Sequence, residues 1–272
     1  MLTTGQLAAH ATVSEKAVRL YADRGLLTAR RDPSSGHRLF EDAQADRLRL
    51  VCLLRSLDLS LAEIEGVLDG GARVADFDAV WSARRSDAAR VDVAGEYVRG
   101  VLAGDVVLPS GLVVEDREVS ERVVLRVEGE AALPQMATVL PELTGRLFAA
   151  LTAADVPLAG PPYVEHRSRA TETSPARLAV CAPVDRAMRP PAGMQVVLDP
   201  AHHEAFVALR QAQADDQRLL VVVHDHLSAG RRTSRVGPNR ETYLPAFGTG
   251  ADGVVMDVAV PVSIVEQRGR PS

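Results

Sequence analysis

A short stretch of the sequence concentrates basic side chains that could bind nucleic acid. Between residues 16 and 38 there are six basic residues and two acidic ones, a local charge of +4. The basic residues are Lys16, Arg19, Arg24, Arg30, Arg31 and Arg38. Such side chains donate hydrogen bonds to phosphate oxygens, and arginine also binds base edges. Because the whole chain has a net charge of -5, DNA binding is expected only from this stretch. A solvent-exposed helical hairpin with no binding role would show the same charges.

Two groups of histidines are the candidate metal ligands in the sequence. They are His202-His203 and His224-Asp225-His226. Neither group contains two histidines four residues apart, the spacing that one face of a helix requires, and no cysteine lies beside them. The sequence therefore predicts no metal site, and no cofactor is expected.

The cysteines and the distribution of apolar residues indicate the cellular compartment of the protein. Cys52 and Cys181 lie far apart in apolar surroundings, so we expect two core residues rather than a disulfide. The N-terminus lacks the basic and apolar regions of a signal peptide, and no run of about 18 apolar residues could cross a membrane. These features predict a cytoplasmic protein with no membrane partner.

Capping residues and turns place the basic stretch on two short helices and a hairpin. Thr3 or Thr4 can cap a first helix, and Ser14 can cap a second helix over about residues 15–23. Two short helices joined by a tight turn are typical of a helix-turn-helix. The Pro-Ser-Ser-Gly turn at residues 33–36 predicts the tip of a small β-wing with arginines on both arms.

Two further helices, over residues 43–68, are expected to support the helix-turn-helix and the wing. An apolar stripe at helical spacing marks the first of them. The stripe consists of Leu48, Val51, Leu54 and Leu57. Ser60 followed three residues later by Glu63 is a capping box that begins the second.

A long helix is predicted after Gly70-Gly71. Apolar residues recur at steps of three and four from Phe77 to Leu102, which predicts a helix of about 28 residues. Such a helix needs a partner for its apolar stripe, either within its own chain or in a second copy. Residues 105–112 are expected to be a linker.

The C-terminal part of the sequence alternates strands and helices in an order that predicts an α+β fold with one antiparallel sheet. The expected elements are a strand over Glu115–Val127, a helix over Leu133–Ala154, strands over Pro162–His166, Ala176–Pro183 and Gly193–Asp199, a helix from about His203, and strands over Glu241–Leu244 and Gly253–Pro261. The β-branched run Leu219–Val223 resembles a strand, but the order of elements favours a place within the second helix. Two β-α-β-β repeats are therefore expected.

The N-terminal motifs closely resemble those of the MerR family of bacterial regulators. The matching runs are V-S-E-K-A-V-R-L-Y-A-D-R-G-L-L, Arg30, G-H-R-L-F, and L-R-S-L-D-L-S-L-A-E-I, within residues 2–69. The resemblance implies a winged helix-turn-helix domain over residues 1–70, a dimerisation helix and linker over 71–112, and an effector-binding domain over 113–272. The DNA-binding residues that it implies are Ser14, Lys16, Arg19, Tyr21, Arg30, His37 and Arg38.

The same resemblance implies a mechanism. The long helix would pair with that of a second copy, giving a homodimer that binds a palindromic promoter site. The dimer would bend and untwist the promoter when an effector binds, so that RNA polymerase can start.

Four residues depart from the family pattern. Thr12 and Asp58 stand where glycine is usual, and Leu20 and His37 stand where tyrosine is usual. The two lost tyrosines each remove a phosphate contact, which affects the details of operator recognition.

The C-terminal half resembles the GyrI-like effector-binding domain, which implies a bulky and often cationic small-molecule effector. The matching runs are E-R-V-V-L-R-V-E-G-E, A-G-M-Q-V-V-L, N-R-E-T-Y-L and V-V-M-D-V-A-V-P-V. Glu241 matches the glutamate that pairs with the ligand's cation in these relatives. Alternation along a strand puts Tyr243 on the same face as Glu241. Tyr163 is expected to line the same cleft, or else to cover a sheet edge. A carboxylate beside an aromatic ring suits an organic cation.

Two alternatives to this interpretation stay open. Glu241 could instead be solvent-exposed or paired with an arginine such as Arg167. The chain could also be a drug-sequestering or drug-hydrolysing GyrI-like protein with a vestigial DNA-binding domain. Glu241 would then be the base, but no second acid or nucleophile accompanies it in the sequence, so we expect no enzyme.

Overall fold

A computed structural model describes residues 1–230 and 235–263 of the 272-residue chain. The chain divides into two compact units, Met1–Ala88 and Ala89–Ser272, and the boundary falls within the long helix. The three-part division at residues 70 and 112 remains a prediction. Among the described residues, no helix combines the length and the apolar character needed to cross a membrane.

The N-terminal unit contains a helix-turn-helix, a wing and two supporting helices, as predicted. Its elements are β1 (Leu2–Thr3), α1 (Thr4–His10), α2 (Glu15–Asp23), β2 (Arg30–Arg31), β3 (Arg38–Phe40), α3 (Gln44–Ser56), α4 (Leu61–Asp69) and the first part of α5 (Arg73–Ala103). β3 pairs antiparallel with both β1 and β2, so the wing is the β2–β3 hairpin.

The predicted helix caps form. The Thr3 hydroxyl accepts a hydrogen bond from Gln6 N, and the Ser60 hydroxyl accepts one from Glu63 N. In both caps the side chain of the third helical residue, Gln6 or Glu63, accepts a hydrogen bond from the backbone N–H of the capping residue, which completes a capping box. Leu48, Val51 and Leu54 of α3 are buried, as expected, whereas Leu57 is exposed because the chain turns away after Ser56.

Two non-glycine residues of this unit adopt left-handed backbone conformations. Thr12 has φ of 55° and Asp58 has φ of 60°, and these are the two positions where the MerR pattern has glycine. The β-branched side chain of Thr12 is especially unfavourable there. Arg84 stabilises the turn at Asp58 by donating a hydrogen bond to the Asp58 carbonyl oxygen at 3.0 Å. The substitutions therefore store backbone strain in the DNA-binding unit.

Thr12→Gly is expected to stabilise the N-terminal unit by about 0.5–1 kcal/mol. Glycine adopts the left-handed conformation without strain, which stabilises the folded state. This gain in free energy exceeds the loss caused by the greater conformational entropy of glycine in the unfolded chain. Urea unfolding followed by the fluorescence of Trp81, the single tryptophan, measures the change. Gly25→Ala is the matched control, because Gly25 has φ of 77° and no atom within 4 Å of an added Cβ. It should destabilise, and an unchanged midpoint for Thr12→Gly would contradict the assignment of strain.

The C-terminal unit is built on one eight-stranded antiparallel sheet with the order β4-β9-β11-β10-β6-β7-β5-β8. Its elements are β4 (Glu115–Val119), β5 (Arg122–Ala131), α6 (Met136–Ala153), β6 (Tyr163–His166), β7 (Ala176–Val184), β8 (Met194–Asp199), β9 (His202–Arg210), α7 (Gln211–Ala214), α8 (Gln217–Gly230), β10 (Asn239–Tyr243) and β11 (Val254–Val262). A 3₁₀ turn, Leu133–Gln135, precedes α6.

The sheet has two related halves, β5-α6-β6-β7 and β9-α8-β10-β11, which confirms two β-α-β-β repeats, but the second repeat begins at β9 and not at the predicted strand Gly193–Asp199. The halves meet where β10 pairs with β6. The strand before each half pairs with the other half, since β4 pairs with β9 and β8 pairs with β5. Each helix packs on its own half and buries a separate apolar core, for example Leu147 in one and Val223 in the other.

Two details of the sequence prediction are wrong, and a third is confirmed. The strand expected over Glu115–Val127 is two strands, because β4 and β5 separate at residues 120–121. The helix expected from His203 is wrong, since His203 lies in β9 and α8 begins at Gln217. Along β9, Ala205, Val207 and Leu209 are buried at every second residue, which is the period of a strand. The run Leu219–Val223 lies within α8, as the order of elements favoured.

Candidate DNA-binding face and buried ionic clusters

Helix α2 presents part of the predicted DNA-binding set at the protein surface. Lys16 and Arg19 are exposed on it. The Arg19 guanidinium forms an ion pair with the Glu15 carboxylate, with 2.6 Å between Nη2 and Oε2. Arg19 must therefore break this ion pair before it can bind a phosphate or a base. The Ser14 hydroxyl caps the helix by accepting from Ala17 N at 3.2 Å.

The wing carries three further residues of the predicted set. Arg30 and His37 are exposed on its two arms. Arg38 is half-buried, forms an ion pair with Asp23 and donates to the Arg19 carbonyl oxygen at 3.4 Å. Arg38 therefore fastens the wing to α2.

Other contacts hold this surface in shape. Tyr21 is half-buried and packs against both apolar cores of the N-terminal unit. At the wing tip, Asp32 accepts from Ser34 N, Ser34 Oγ and Ser35 Oγ, and these hydrogen bonds, led by that of the Ser34 hydroxyl, lower the pKa of Asp32 to about 2.

A buried carboxylate, Glu241, lies at the seam between the two halves of the C-terminal sheet. Its Oε1 is 2.9 Å from His224 Nε2 and 3.2 Å from His166 Nε2, and its Oε2 accepts a hydrogen bond from the Tyr243 hydroxyl at 2.8 Å. Burial alone would raise the pKa of Glu241, but the contacts with His166 and His224 bring it well below its ordinary value. Glu241 is therefore a buried anion.

These contacts decide between the alternatives for Glu241. It shares a strand face with Tyr243, as alternation predicted. It is neither solvent-exposed nor paired with Arg167, whose partners are Glu165 and Glu128. The Asn239 amide nitrogen lies 3.0 Å from His224 Nδ1 and extends the polar cluster along α8.

A second ionic cluster surrounds Arg240 on the opposite face of the sheet. Its guanidinium binds both carboxylate oxygens of Asp199 at 2.8 and 3.0 Å, and also contacts Glu165 and Glu204 at 3.2 Å each. Burial would lower the pKa of Arg240, but the hydrogen bonds to Asp199 and the other charges raise it above its ordinary value. The Tyr163 ring lies 4.8 Å from the guanidinium carbon.

Tyr163 is consequently not beside Glu241. It is 2% exposed, and its hydroxyl donates to Asp199 at 3.4 Å. In the strand register it lies opposite Thr242, whereas Val164 lies opposite Glu241. The prediction that Tyr163 lines the same cleft as Glu241 is wrong, because adjacent strand residues point to opposite faces. A cleft of about 460 Å³ lies on the Arg240 side and includes Arg126, Arg240 and His202.

The Arg240 cluster should make the C-terminal unit sensitive to acid. Burial alone would raise the pKa of Glu204, but the hydrogen bond with His202 and the charge of Arg117 lower it from 4.5 to about 2. The folded carboxylate thus holds its proton more weakly than the unfolded one. The ionised Glu204 carboxylate therefore stabilises the folded state at pH values above its ordinary pKa of 4.5. This stabilisation is lost as the pH falls from about 4.5 to about 2.

The full loss is expected to be on the order of 3 kcal/mol, of which about 2 kcal/mol falls between pH 5 and pH 3. Urea unfolding followed by circular dichroism at pH 5 and at pH 3 measures it. Glu204→Gln should flatten the dependence on pH over that interval. A midpoint that does not change between the two pH values in the native chain would contradict the lowered pKa.

Sequence reasoning missed His166, His224 and Arg240 as cluster members. In the sequence His224 stands out only as a neighbour of His226, and two histidines at that spacing cannot share a helical face. Alternation along β10 puts Arg240 on the face opposite to Glu241, which is the signal that the sequence offers. The acidic partners of Arg240 lie 36 to 75 residues away along the chain, and no local spacing reveals them.

The two short helices, the hairpin wing and the supporting helices together define a winged helix-turn-helix, a class of DNA-binding domain. Residues 2–71 match the family model described as MerR HTH family regulatory protein. This N-terminal part of the chain is therefore a MerR-type domain, as its motifs predicted.

Two relatives are similar to this chain over a stretch of 70 residues. The HTH-type transcriptional activator TipA of Streptomyces coelicolor is 36% identical over 70 residues, which are 26% of this chain and 28% of TipA. TipA of Streptomyces lividans matches to the same extent. The chain thus spans just over a quarter of the length of these relatives.

Solved structures show more distant likeness. EcmrR, in a cryo-EM structure of an EcmrR–DNA complex, is 14% identical with a TM-score of 0.46, covering 97% of this chain and all of that one. The EcmrR C-terminal domain is 12% identical with a TM-score of 0.45, covering 57% of this chain and 99% of that one.

Proposed function

We propose that the chain is a transcription regulator that binds promoter DNA as a homodimer and responds to a small ligand in its C-terminal unit. The observation that carries the proposal is the MerR-type domain with Lys16, Arg19 and Arg30 exposed on its helix and wing. These side chains supply phosphate and base-edge donors in an otherwise acidic chain. Ser14, Tyr21, His37 and Arg38 complete the proposed DNA-binding set, the last mainly by holding the wing.

The C-terminal part of α5 supports the homodimer. Val91, Val98 and Leu102 are spaced seven and four residues apart, and so share one face of the helix. They are 47%, 54% and 84% exposed in the single chain. A helix with an exposed apolar stripe requires a partner, and a second copy would bring two DNA-binding units to a two-fold site.

Val98→Glu is expected to weaken dimerisation by at least about tenfold, because it places a charge in the apolar seam. Sedimentation-velocity measurements over a concentration series give the dimer dissociation constant. Val93→Glu is the matched control, since Val93 is 41% exposed on a different face of the same helix. Equal effects of both substitutions would place the dimer contact elsewhere.

Glu241 is the proposed recognition group for a positively charged effector. It is a buried anion, and its Oε1 is the atom on which His166 and His224 converge. A bulky organic cation would have to displace His224 to reach this oxygen. The arrangement therefore favours a small cation, or the charged tip of a larger molecule.

In vitro transcription from the promoter upstream of the chain's own gene tests the proposed regulation. RNA polymerase alone is compared with polymerase plus the protein, before and after addition of the effector. The proposal expects the protein to bind in both cases and the transcript level to change with the effector. A transcript level that is independent of the protein in all mixtures would contradict it.

A further inference from the structure

Three side chains from three separate elements bring their metal-binding atoms together. His166 ends β6, His224 lies on α8 and Glu241 lies on β10, and one ligand atom from each lies within 4.8 Å of the others. We propose that these residues form a binding site for one divalent transition-metal ion of the zinc class. The inference concerns the C-terminal unit alone and does not depend on DNA binding.

The distances fit this proposal with little movement. Zinc binds histidine nitrogen and carboxylate oxygen at about 2.0–2.2 Å in a tetrahedron, which separates neighbouring ligand atoms by about 3.4 Å. Glu241 Oε1 is 2.9 Å from His224 Nε2 and 3.2 Å from His166 Nε2. The two distances from Oε1 need to open by only a few tenths of an ångström, and the two imidazole nitrogens, which lie within 4.8 Å of each other, need to come to about the same 3.4 Å. Two imidazoles and one carboxylate are also the ligand types that zinc-class ions accept, with a fourth position left for water or an exogenous ligand.

His166 gives an independent reason for a ligand at this place. Its Nε2 atom is buried and faces Glu241, but it has no hydrogen-bond partner among the described residues. The 3.2 Å separation from Glu241 Oε1 is an ion-pair distance that lacks the geometry of a hydrogen bond. Buried polar atoms are nearly always paired, and a metal ion accepting the Nε2 lone pair would satisfy this one.

The surrounding side chains are placed as supporting partners of a metal site. The Tyr243 hydroxyl donates to Glu241 Oε2 at 2.8 Å, which fixes the carboxylate and leaves Oε1 for the ion. The amide of Asn239 lies 3.0 Å from His224 Nδ1. Metal ligation through Nε2 puts the proton on Nδ1, so the Asn239 amide nitrogen, which also donates to the His224 carbonyl oxygen at 3.2 Å, would have to turn away from Nδ1. Ser228, which contacts both ends of that amide, can donate or accept after the turn.

The backbone also favours a fixed geometry. His166 lies opposite Asn239 in the β6–β10 register, and Val164 lies opposite Glu241, so His166 and Glu241 are diagonal neighbours on one face. α8 packs against β11 and β9 and carries His224 over that face. An ion at this site would connect α8 to the central strands where the two halves of the sheet meet.

Titration of the metal-stripped full-length chain with Zn²⁺ by isothermal calorimetry tests the site. We expect one ion per chain, and binding more than about 100-fold weaker in each of His166→Ala, His224→Ala and Glu241→Gln. His226→Ala is the matched control, since His226 lies two residues beyond His224 on α8 but outside the cluster, and it should bind like the native chain. Absence of Zn²⁺ binding, or binding that survives all three cluster substitutions, would overturn the proposal.

A second measurement covers the case in which a cluster variant does not fold. Zn²⁺ should raise the thermal unfolding temperature of the native chain and of His226→Ala, but not that of the milder variants His166→Gln and His224→Gln. An equal rise in all four proteins would also overturn the site. DNA binding of the same samples is measured in parallel. If Zn²⁺ does not bind but DNA binding is intact, only the metal site is rejected. If Zn²⁺ binds but DNA does not, only the proposed function as a DNA-binding regulator is rejected.

Discussion

Arg240→Ala is expected to destabilise the C-terminal unit by about 3–5 kcal/mol. Arg240 is 5% exposed, and its guanidinium is shared by Asp199, Glu165 and Glu204, which are also buried. Removing it leaves buried carboxylates without their main counter-charge. Loss of the pair partner is costly in this way even where the intact ion pair itself contributes little net stability.

Urea unfolding of the full chain followed by circular dichroism measures this effect. Arg169→Ala is the matched control, because the Arg169 side chain is 66% exposed and lies 3.8 Å from Asp225. An exposed pair of this kind should change stability by less than about 0.5 kcal/mol. If Arg240→Ala changed stability by no more than the control does, the Arg240 cluster would not be the organising contact of that face.

Arg19→Ala is expected to weaken binding of the dimer to its promoter by roughly 30-fold or more. Loss of one arginine contact to DNA costs about 1–3 kcal/mol, and a two-fold dimer loses it at both half-sites. Binding of Zn²⁺ or another effector by the C-terminal unit should not change. Fluorescence anisotropy with labelled promoter DNA measures the affinity at a fixed salt concentration.

Glu15→Gln provides the opposite test on the same helix. Glu15 holds the Arg19 guanidinium at 2.6 Å in the free protein and would repel the phosphates. Its neutral variant should bind promoter DNA more tightly than the native chain does. A parallel loss of DNA binding and of effector binding in Arg19→Ala would instead indicate misfolding, which circular dichroism detects.

The parts of the fold that sequence could predict are those with local causes. Thr3, Ser14 and Ser60 cap helices because their hydroxyls reach backbone groups three residues on. The wing follows from a turn motif between two arginine-bearing arms. The order of elements likewise placed the β-branched run Leu219–Val223 in a helix, against its local propensity.

The parts that sequence could not predict depend on pairing between distant residues. The order of elements predicted a helix from about His203 after the strand Gly193–Asp199, whereas His203 lies in β9, which is defined by its pairing with β4 and β11. The cluster of His166, His224 and Glu241 joins positions up to 75 residues apart, and its chemistry exists only once β6, β10 and α8 are packed. Local patterns therefore located the DNA-binding helix, while the chemistry of the C-terminal unit required the register of the sheet.

Binding to the DNA upstream of the chain's own gene tests the central claim most directly. A gel-shift titration at moderate salt compares that duplex with a shuffled duplex of the same length and composition, with and without added Zn²⁺. The MerR-type domain with exposed Lys16 and Arg19 predicts a retarded complex that persists under excess non-specific competitor and weakens steeply with salt. Absence of any complex in all of these mixtures, or equal affinity for both duplexes, would contradict the account of this chain as a promoter-specific regulator.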